Sequence, residues 1–175
     1  DNLSPEVAIN YYINEDTSVY VAYKKAFKSG GIDNSALPTA SINPLSPTFE
    51  GFDALIYDSE EVDGFEIGLK SNLLDNNMRL NATYYKYEYT DLQVQLFDAA
   101  IIQFSTFNAG AVETEGFEAD LLWNTDIPGL TLRGQFAWTD ATNTGDFITP
   151  GGENLKGSKR SYSPEIAGSF GLSYD

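Results

Sequence analysis

The chain has 175 residues, enough for one domain, and is 42% hydrophobic and 14% aromatic, too aromatic for a disordered segment. Its net charge of −16 and pI of about 4.1 exclude the basic face that a nucleic-acid binder needs. With no cysteine and no histidine, disulfides, thiol and imidazole metal ligands, cysteine nucleophiles and histidine triads are excluded as well.

The N-terminus, DNLSPEVAINYY, has no basic stretch leading into an apolar run, so no signal peptide is read there. No apolar run approaches the roughly 18 residues of a transmembrane helix, whereas a barrel strand needs only about 9–11 alternating residues and escapes hydropathy. The first predicted strand covers residues 5–14, with Val7, Ile9, Tyr11 and Ile13 on one face and a proline at its start, where no ladder donor is needed. A short turn at Asn14, Glu15 and Asp16 leads to a strand over 17–28. There Val19, Val21, Tyr23, Lys25 and Phe27 share one face, and Ala22, Lys24, Ala26 and Lys28 the other. Residues 29–59 form a long irregular segment that opens with Gly30 and Gly31, contains Pro38, Pro44 and Pro47, and carries Phe49, Phe52, Asp53 and Tyr57. A loop of that length is functional or mobile more often than not.

A strand over 61–73 comes next, with Phe65, Ile67 and Leu69 opposing Glu66, Gly68 and Lys70. After a turn at 74–77, one long strand is expected over 78–97, its upper part a tyrosine-dense YYKYEYTDL. The next strand begins beyond 98–100, bends at Asn108-Ala109-Gly110, and runs into a hairpin spanning 112–142. In that hairpin Phe117, Ala119, Leu121 and Trp123 alternate with Glu118, Asp120 and Leu122. Beyond a turn at 124–129, Leu130, Leu132, Gly134, Phe136 and Trp138 alternate with Thr131, Arg133, Gln135, Ala137 and Thr139. Residues 143–163 are a second long loop, with Asp146 and Phe147, before a last strand that carries Ile166, Gly168, Phe170, Leu172 and Tyr174 on one face.

Two internal echoes suggest repeated hairpins. Asp63-Gly64-Phe65-Glu66 returns as Glu115-Gly116-Phe117-Glu118, and Ser4-Pro5-Glu6-Val7-Ala8 as Ser163-Pro164-Glu165-Ile166-Ala167. Tight turns at one end and long connections at the other are the pattern of bacterial outer-membrane barrels. Strands of about 10–20 residues are long for soluble sheets, whose strands average about 5–6. Aromatics near strand ends (Tyr84, Tyr85, Tyr87, Tyr89, Trp123 and Trp138) read as a membrane-interface girdle. The alternative is a soluble or secreted β-sandwich, a carbohydrate-binding or adhesion module using the same aromatics as stacking platforms. The predicted fold class is all-β: an antiparallel meander sheet that is part of a transmembrane barrel.

Candidate chemistry is sparse. Asp58, Glu60, Glu61 and Asp63 lack EF-hand spacing and read as a solvated strand mouth, as do Asp140, Asn143 and Asp146. No metal site, cofactor or catalytic pair is assigned, because the paired carboxylates sit on regular strands with no evident pocket. Lys24, Lys25 and Lys28 read as strand-end anchors, with anionic lipid headgroups or an anionic ligand as the other possibility. Phe65, Ile67, Leu69, Phe117, Leu121, Trp123, Leu132, Phe136 and Trp138 are assigned to lipid, and Glu66, Lys70, Glu118, Asp120, Arg133 and Gln135 to the lumen.

The order of several segments resembles the barrel of TonB-dependent outer-membrane receptors. They are Val19-Tyr20-Val21-Ala22-Tyr23 running to Gly30-Gly31, Val62 to Lys70, Leu80-Asn81-Ala82-Thr83-Tyr84-Tyr85, Tyr89 to Gln93, Asn108 to Glu118, and Ser163-Pro164-Glu165. The resemblance implies a barrel of about 22 strands with a plugged lumen in the bacterial outer membrane. It implies uptake of a scarce ligand (an iron–siderophore complex, a vitamin or an oligosaccharide) energised by the TonB complex through the plug. Outer-membrane lipid and lipopolysaccharide would surround the wall, and lumen-facing residues would line it around the plug. Ligand capture would fall to the two long loops through Phe49, Phe52, Asp53, Tyr57, Asp146 and Phe147. About seven strands are expected over residues 1–175, with no plug and no TonB-interacting segment, as in a piece of the C-terminal half of such a barrel.

Overall fold

The computed structural model describes residues 3–33, 44–45, 47, 51–98, 102–149 and 152–175. Eleven strands succeed one another among these: β1 (Glu6–Tyr12), β2 (Thr17–Lys28), β3 (Gly31–Ile32), β4 (Ile56–Tyr57), β5 (Glu60–Leu73), β6 (Met78–Thr90), β7 (Gln93–Asp98), β8 (Gln103–Asn108), β9 (Ala111–Asn124), β10 (Leu130–Asn143) and β11 (Ile166–Tyr174). One 3₁₀ turn, Phe52–Leu55, precedes β4. Seven strands make one antiparallel sheet in the order β1-β2-β5-β6-β9-β10-β11, so each strand pairs with the previous strand of that sheet. Two small sheets, β3-β4 and β7-β8, stand apart from it.

The turns explain the meander. Between β1 and β2 the Asn14 side chain accepts the Asp16 N–H at 2.9 Å, a local bond that reverses the chain. Between β5 and β6 three successive residues, Leu74, Asp75 and Asn76, have φ of 54°, 52° and 66°. Between β9 and β10 the Thr125 hydroxyl donates to the Leu130 carbonyl at 3.0 Å, and Gly129 supplies a φ of 81°. All three tight turns lie at one end of the sheet. The connections carrying β3-β4, β7-β8 and residues 144–165 lie at the other.

The structure corrects the long strand expected over 78–97. It ends at Thr90, because Asp91 adopts φ 52° and Gly110 opposite adopts φ 52°, which breaks the ladder on both sides. Beyond the break the β7-β8 hairpin resumes the register of β6 and β9, from Gln93↔Asn108 to Asp98↔Gln103, and Leu92 accepts the Ala109 N–H at 2.7 Å across the interruption. The β-sandwich alternative is also set aside, since no second sheet packs on the seven-stranded one among the described residues. A folded soluble monomer of this mass exposes about 8,400 Å²; this chain exposes 11626 Å². Among the described residues the larger buried apolar side chains, Leu55, Val112 and Phe147, gather at the long-loop end, and within the middle of the sheet only the small Ala22 is buried.

Candidate functional site: two faces and a loop crown

Register decides which side chains share a face. Pairing of β9 with β10 sets Trp123 beside Leu132, Leu121 beside Gly134, Ala119 beside Phe136 and Phe117 beside Trp138. Across β6 the same face continues through Met78, Leu80, Ala82 and Tyr84, and across β5 through Leu69 and Ile67, with Phe65 next along the strand. Val19, Val21 and Tyr23 of β2 extend it, as do Leu172, Phe170 and Ile166 of β11. All nine residues assigned to lipid therefore lie on one side; Phe65, Ile67, Phe117 and Phe136 are exposed, Ile67 by 49% and Phe136 by 45%, and Leu69, Leu121, Trp123, Leu132 and Trp138 are partly covered. On β10 this apolar run extends from Leu130 to Trp138. That is about 26 Å along the strand, or about 20 Å in height at a tilt of 35–45°. The apolar band of an outer-membrane barrel is about 25 Å tall.

Toward the long loops the same face turns charged. Lys25 pairs with Glu61 at 2.8 Å, and Lys86 pairs with Glu113 at 2.9 Å and Glu115 at 3.9 Å. The Tyr23 hydroxyl donates to Asp63 at 3.2 Å and that of Tyr84 to Glu115 at 3.1 Å. Lys159 pairs with Asp140. These carboxylates are thus engaged with tyrosines and lysines. Among the described residues no three acidic side chains converge as a metal site.

The opposite face is polar and internally bonded. Tyr20 of β2 lies across Gly68 of β5 to meet the Thr83 hydroxyl of β6 at 3.1 Å. Tyr85 of β6 lies across Gly116 of β9 to meet the Thr139 hydroxyl of β10 at 3.2 Å. Each ring occupies the space that a side chain on the intervening residue would fill. Glu66 accepts from Lys24 at 3.0 Å and from the Tyr87 hydroxyl. Asn81 donates to Asp120 and Ser169 to Gln135. Glu66, Lys70, Glu118, Asp120, Arg133 and Gln135 all lie on this face by register. Near its centre a hollow of about 500 Å³ is lined by Asn81, Thr83, Glu118, Asp120, Gln135 and Ser169. The girdle read from the tyrosine-dense run is corrected accordingly. Tyr84 is on the apolar face, but Tyr85, Tyr87 and Tyr89 are on the polar one, because side chains alternate along β6.

The long connections form a crown. Gln93 donates to the carbonyls of Ser29 and Asp58, both at 3.0 Å, and Asn108 donates to Asp58 at 3.0 Å and Asp91 at 2.7 Å. These amides clasp the β2–β5 connection to the foot of β7-β8. Asp33 accepts the Thr106 N–H at 2.6 Å, tying β3 to β8. In the loop after β10 the described residues fold back through the bridge Ile148↔Asn154, and Thr142↔Lys159 returns the chain to the end of β10. Of the residues assigned to ligand capture, Phe52 is 71% exposed, Asp53 is exposed and Tyr57 is partly covered. Asp146 is exposed, and Phe147 is buried, 6.3 Å from Phe107 ring to ring. Phe49 lies outside the described residues. The Asp146 carboxyl is held below its usual pKa by a hydrogen bond from Asn154 and by the charge of Lys156. Sequence reasoning missed the Gln93 and Asn108 clasp and a cation at Arg160. The turn-prone residues around Asp91 and Gly110 were the available signal for the first. The run KGSKR at 156–160 was the signal for the second.

A meandering sheet with an apolar band on one side, a bonded polar wall on the other and loops massed at one end defines an outer-membrane β-barrel wall. The chain belongs to the TonB-dependent receptor family: the family model "TonB dependent receptor-like, beta-barrel" matches residues 1–175. It is 27% identical over 121 residues to the probable TonB-dependent siderophore receptor PiuA of Acinetobacter baumannii, covering 69% of this chain and 15% of that protein. The crystal structure of PiuA from the same organism superposes with a TM-score of 0.68 at 21% identity, covering 98% of this chain and 23% of the other. That of the ferric yersiniabactin uptake receptor FyuA from Yersinia pestis gives a TM-score of 0.67 at 16% identity, covering 95% and 22%. Both superpositions establish the fold. The chain spans 15% of the length of the curated relative and under a quarter of these two structures. It is an outer-membrane barrel sequence, from a family of receptors rather than enzymes.

Proposed function

We propose that this chain forms part of the wall and outer loops of a receptor that takes up a scarce small molecule, an iron–siderophore complex, across the outer membrane. The observation that carries this reading is the division of one sheet into an apolar band and a polar wall, with a folded loop crown at one end only. The names of relatives such as PiuA, FyuA and the ferric-catecholate import receptor Fiu of E. coli support iron complexes over the vitamin or oligosaccharide alternatives. In this reading Phe65, Ile67, Leu69, Phe117, Leu121, Trp123, Leu132, Phe136 and Trp138 meet lipid. The belt of Lys25, Glu61, Asp63, Lys86, Glu113 and Glu115 lies at the level of lipopolysaccharide headgroups. The polar wall faces a plug on which the TonB complex acts. Phe52, Asp53, Tyr57 and Asp146 of the crown meet the ligand along with Phe49, while buried Phe147 holds the 144–163 loop in place. The test is uptake of radioactive iron complexes by iron-starved cells carrying the receptor that contains this chain. Uptake that requires the inner-membrane proton gradient, and that is lost when residues 144–163 are replaced by a short turn, supports the reading. Uptake indifferent to the gradient contradicts it.

A further inference from the structure

Three of the ten lysines and arginines in this acidic chain fall within five positions, Lys156-Gly157-Ser158-Lys159-Arg160. Their surroundings differ. Lys156 pairs with Asp146 at 3.6 Å and Lys159 with Asp140. Arg160 has no carboxylate partner among the described residues, and its Nη1 donates to Asn143 Oδ1 at a long 3.4 Å. The bridge between Thr142 and Lys159 sends Lys159 to the apolar side of the sheet. Arg160, whose N–H donates to the Ala141 carbonyl at 2.8 Å, falls on the polar side with Ala141 and Asn143. Two adjacent cations therefore point in opposite directions, one engaged and one with most of its five donors unspent.

Arg160 borders a hollow of about 420 Å³ between β7 and the 144–163 loop. Its apolar lining is Val94 and Leu96 from β7, with Phe147 and Leu155 from the loop. That floor is fixed: the Leu155 N–H donates to the Phe147 carbonyl at 2.8 Å, and Phe147 is buried. Asn143 is fixed too, because its amide donates to the Ser158 hydroxyl at 2.9 Å and to the Ser158 carbonyl at 3.2 Å. Its Oδ1 is thereby presented to the guanidinium. Lys159 also borders the hollow, but its Nζ is paired with Asp140. A recess of this size with an apolar floor and one cation free of a carboxylate is the ordinary make-up of a small-molecule site. A guanidinium matches the planar fork of a carboxylate or the oxygens of a catecholate or phosphate.

We propose that this hollow is a subsite for an oxyanion carried on an apolar or aromatic body, with the anion on Arg160 and the body against Val94, Leu96 and Leu155. The proposal rests on the uptake reading above and adds the charge class of the ligand. Three probes test it on the intact receptor in detergent: a strongly anionic ferric tris-catecholate, an uncharged ferric tris-hydroxamate of similar size, and iron-free salicylate. Arg160→Gln is expected to weaken the catecholate complex and salicylate roughly ten- to a hundredfold, as loss of a charge-assisted bond does. The hydroxamate complex is expected to be unaffected, and Arg160→Lys to restore part of the loss. Lys156→Gln removes the same charge from the same loop at a residue that does not line the hollow, and is expected to change nothing. Unaltered heat-modifiable gel mobility reports that each variant is folded. Equal binding of salicylate by wild type and Arg160→Gln overturns the subsite, as does an equal loss for Arg160→Gln and Lys156→Gln. Arg160→Gln weakening all three probes alike assigns Arg160 to the architecture and overturns it as well. Salicylate binding that depends on Arg160, with neither iron complex bound by wild type, leaves the subsite standing and sinks the iron-uptake reading.

Discussion

Gly116 and Tyr85 illustrate how single positions hold this wall together. A Cβ on Gly116 would lie 2.5 Å from the Tyr85 ring and 2.7 Å from the Trp138 carbonyl oxygen. The ring can swing away; the carbonyl belongs to the ladder and cannot. Gly116→Val is therefore expected to cost about 1–3 kcal/mol of folding stability, in the range of overpacked cores. Tyr85→Phe, which loses the bond to Thr139 and keeps the ring, is expected to cost about 0.5–1.5 kcal/mol. Urea unfolding from lipid vesicles measures both, and the reverse order would show that the ring does not depend on the missing side chain. Asp146 gives a prediction about pH. Its carboxyl pKa is lowered in the folded loop by Asn154 and Lys156. A depressed carboxylate stabilises the folded form above the ordinary aspartate pKa, and that stabilisation disappears as pH falls through the lowered value. Protection of the 144–163 loop against hydrogen exchange, taken relative to the intrinsic rate at each pH, is expected to fall on acidification below the ordinary aspartate range, and Asp146→Asn to remove that pH dependence.

At the scale of the element, β10 is the most informative strand. Its apolar run has Leu130 and Trp138 at its ends and Gly134 at its centre, and no heavy atom lies within 4 Å of a Cβ built on Gly134. Gly134→Arg therefore meets no steric obstacle, and its cost reports the surroundings alone. In a bilayer it is expected to be about 2–4 kcal/mol, with smaller penalties at Leu132 and Phe136, two residues to either side. Gln135→Arg, on the polar wall, is expected to cost little. Folding into vesicles followed by heat-modifiable gel mobility gives the profile, and equal costs at Gly134 and Gln135 would contradict a lipid-facing side. The seven long strands, their meander order and the partition of β5, β9 and β10 into two faces were legible in the sequence. Period-2 alternation is a local signal, and tight turns announce themselves by composition. The interruption between β6 and β7 was not legible, because it rests on Asp91 adopting a left-handed backbone that side-chain pattern does not encode. Nor were the clasp of Gln93 and Asn108 or the isolation of Arg160. Each depends on which distant segments come together: Gln93 and Ser29 are 64 positions apart. Tyr85, Tyr87 and Tyr89 were misplaced for a simpler reason: aromatic density was weighed above the alternation that the same stretch obeys.

Taken whole, the molecule places its charges by height and by side. The apolar band lies toward the tight turns, the charged belt above it and the crown above that. Arg160 and its hollow are where the crown meets the polar wall. The belt ion pairs are each about a third exposed, so they contribute little to stability. They mark the upper limit of the apolar band. A soluble sheet of this size would need a second layer over its apolar face, and the described residues provide none. This chain has no cysteine of its own, so in the vesicle-reconstituted receptor, with any cysteine elsewhere replaced, single cysteines can be placed one by one from Leu130 to Asp140 of β10. Each can then be labelled with a fluorophore and exposed to brominated lipid and to aqueous iodide. Strict alternation is expected: brominated lipid quenches labels at 132, 134, 136 and 138, and iodide quenches those at 133, 135 and 137, with the lipid signal fading at Asp140. Iodide quenching at every position, or lipid quenching without a period of two, would contradict the assignment of this face to the membrane.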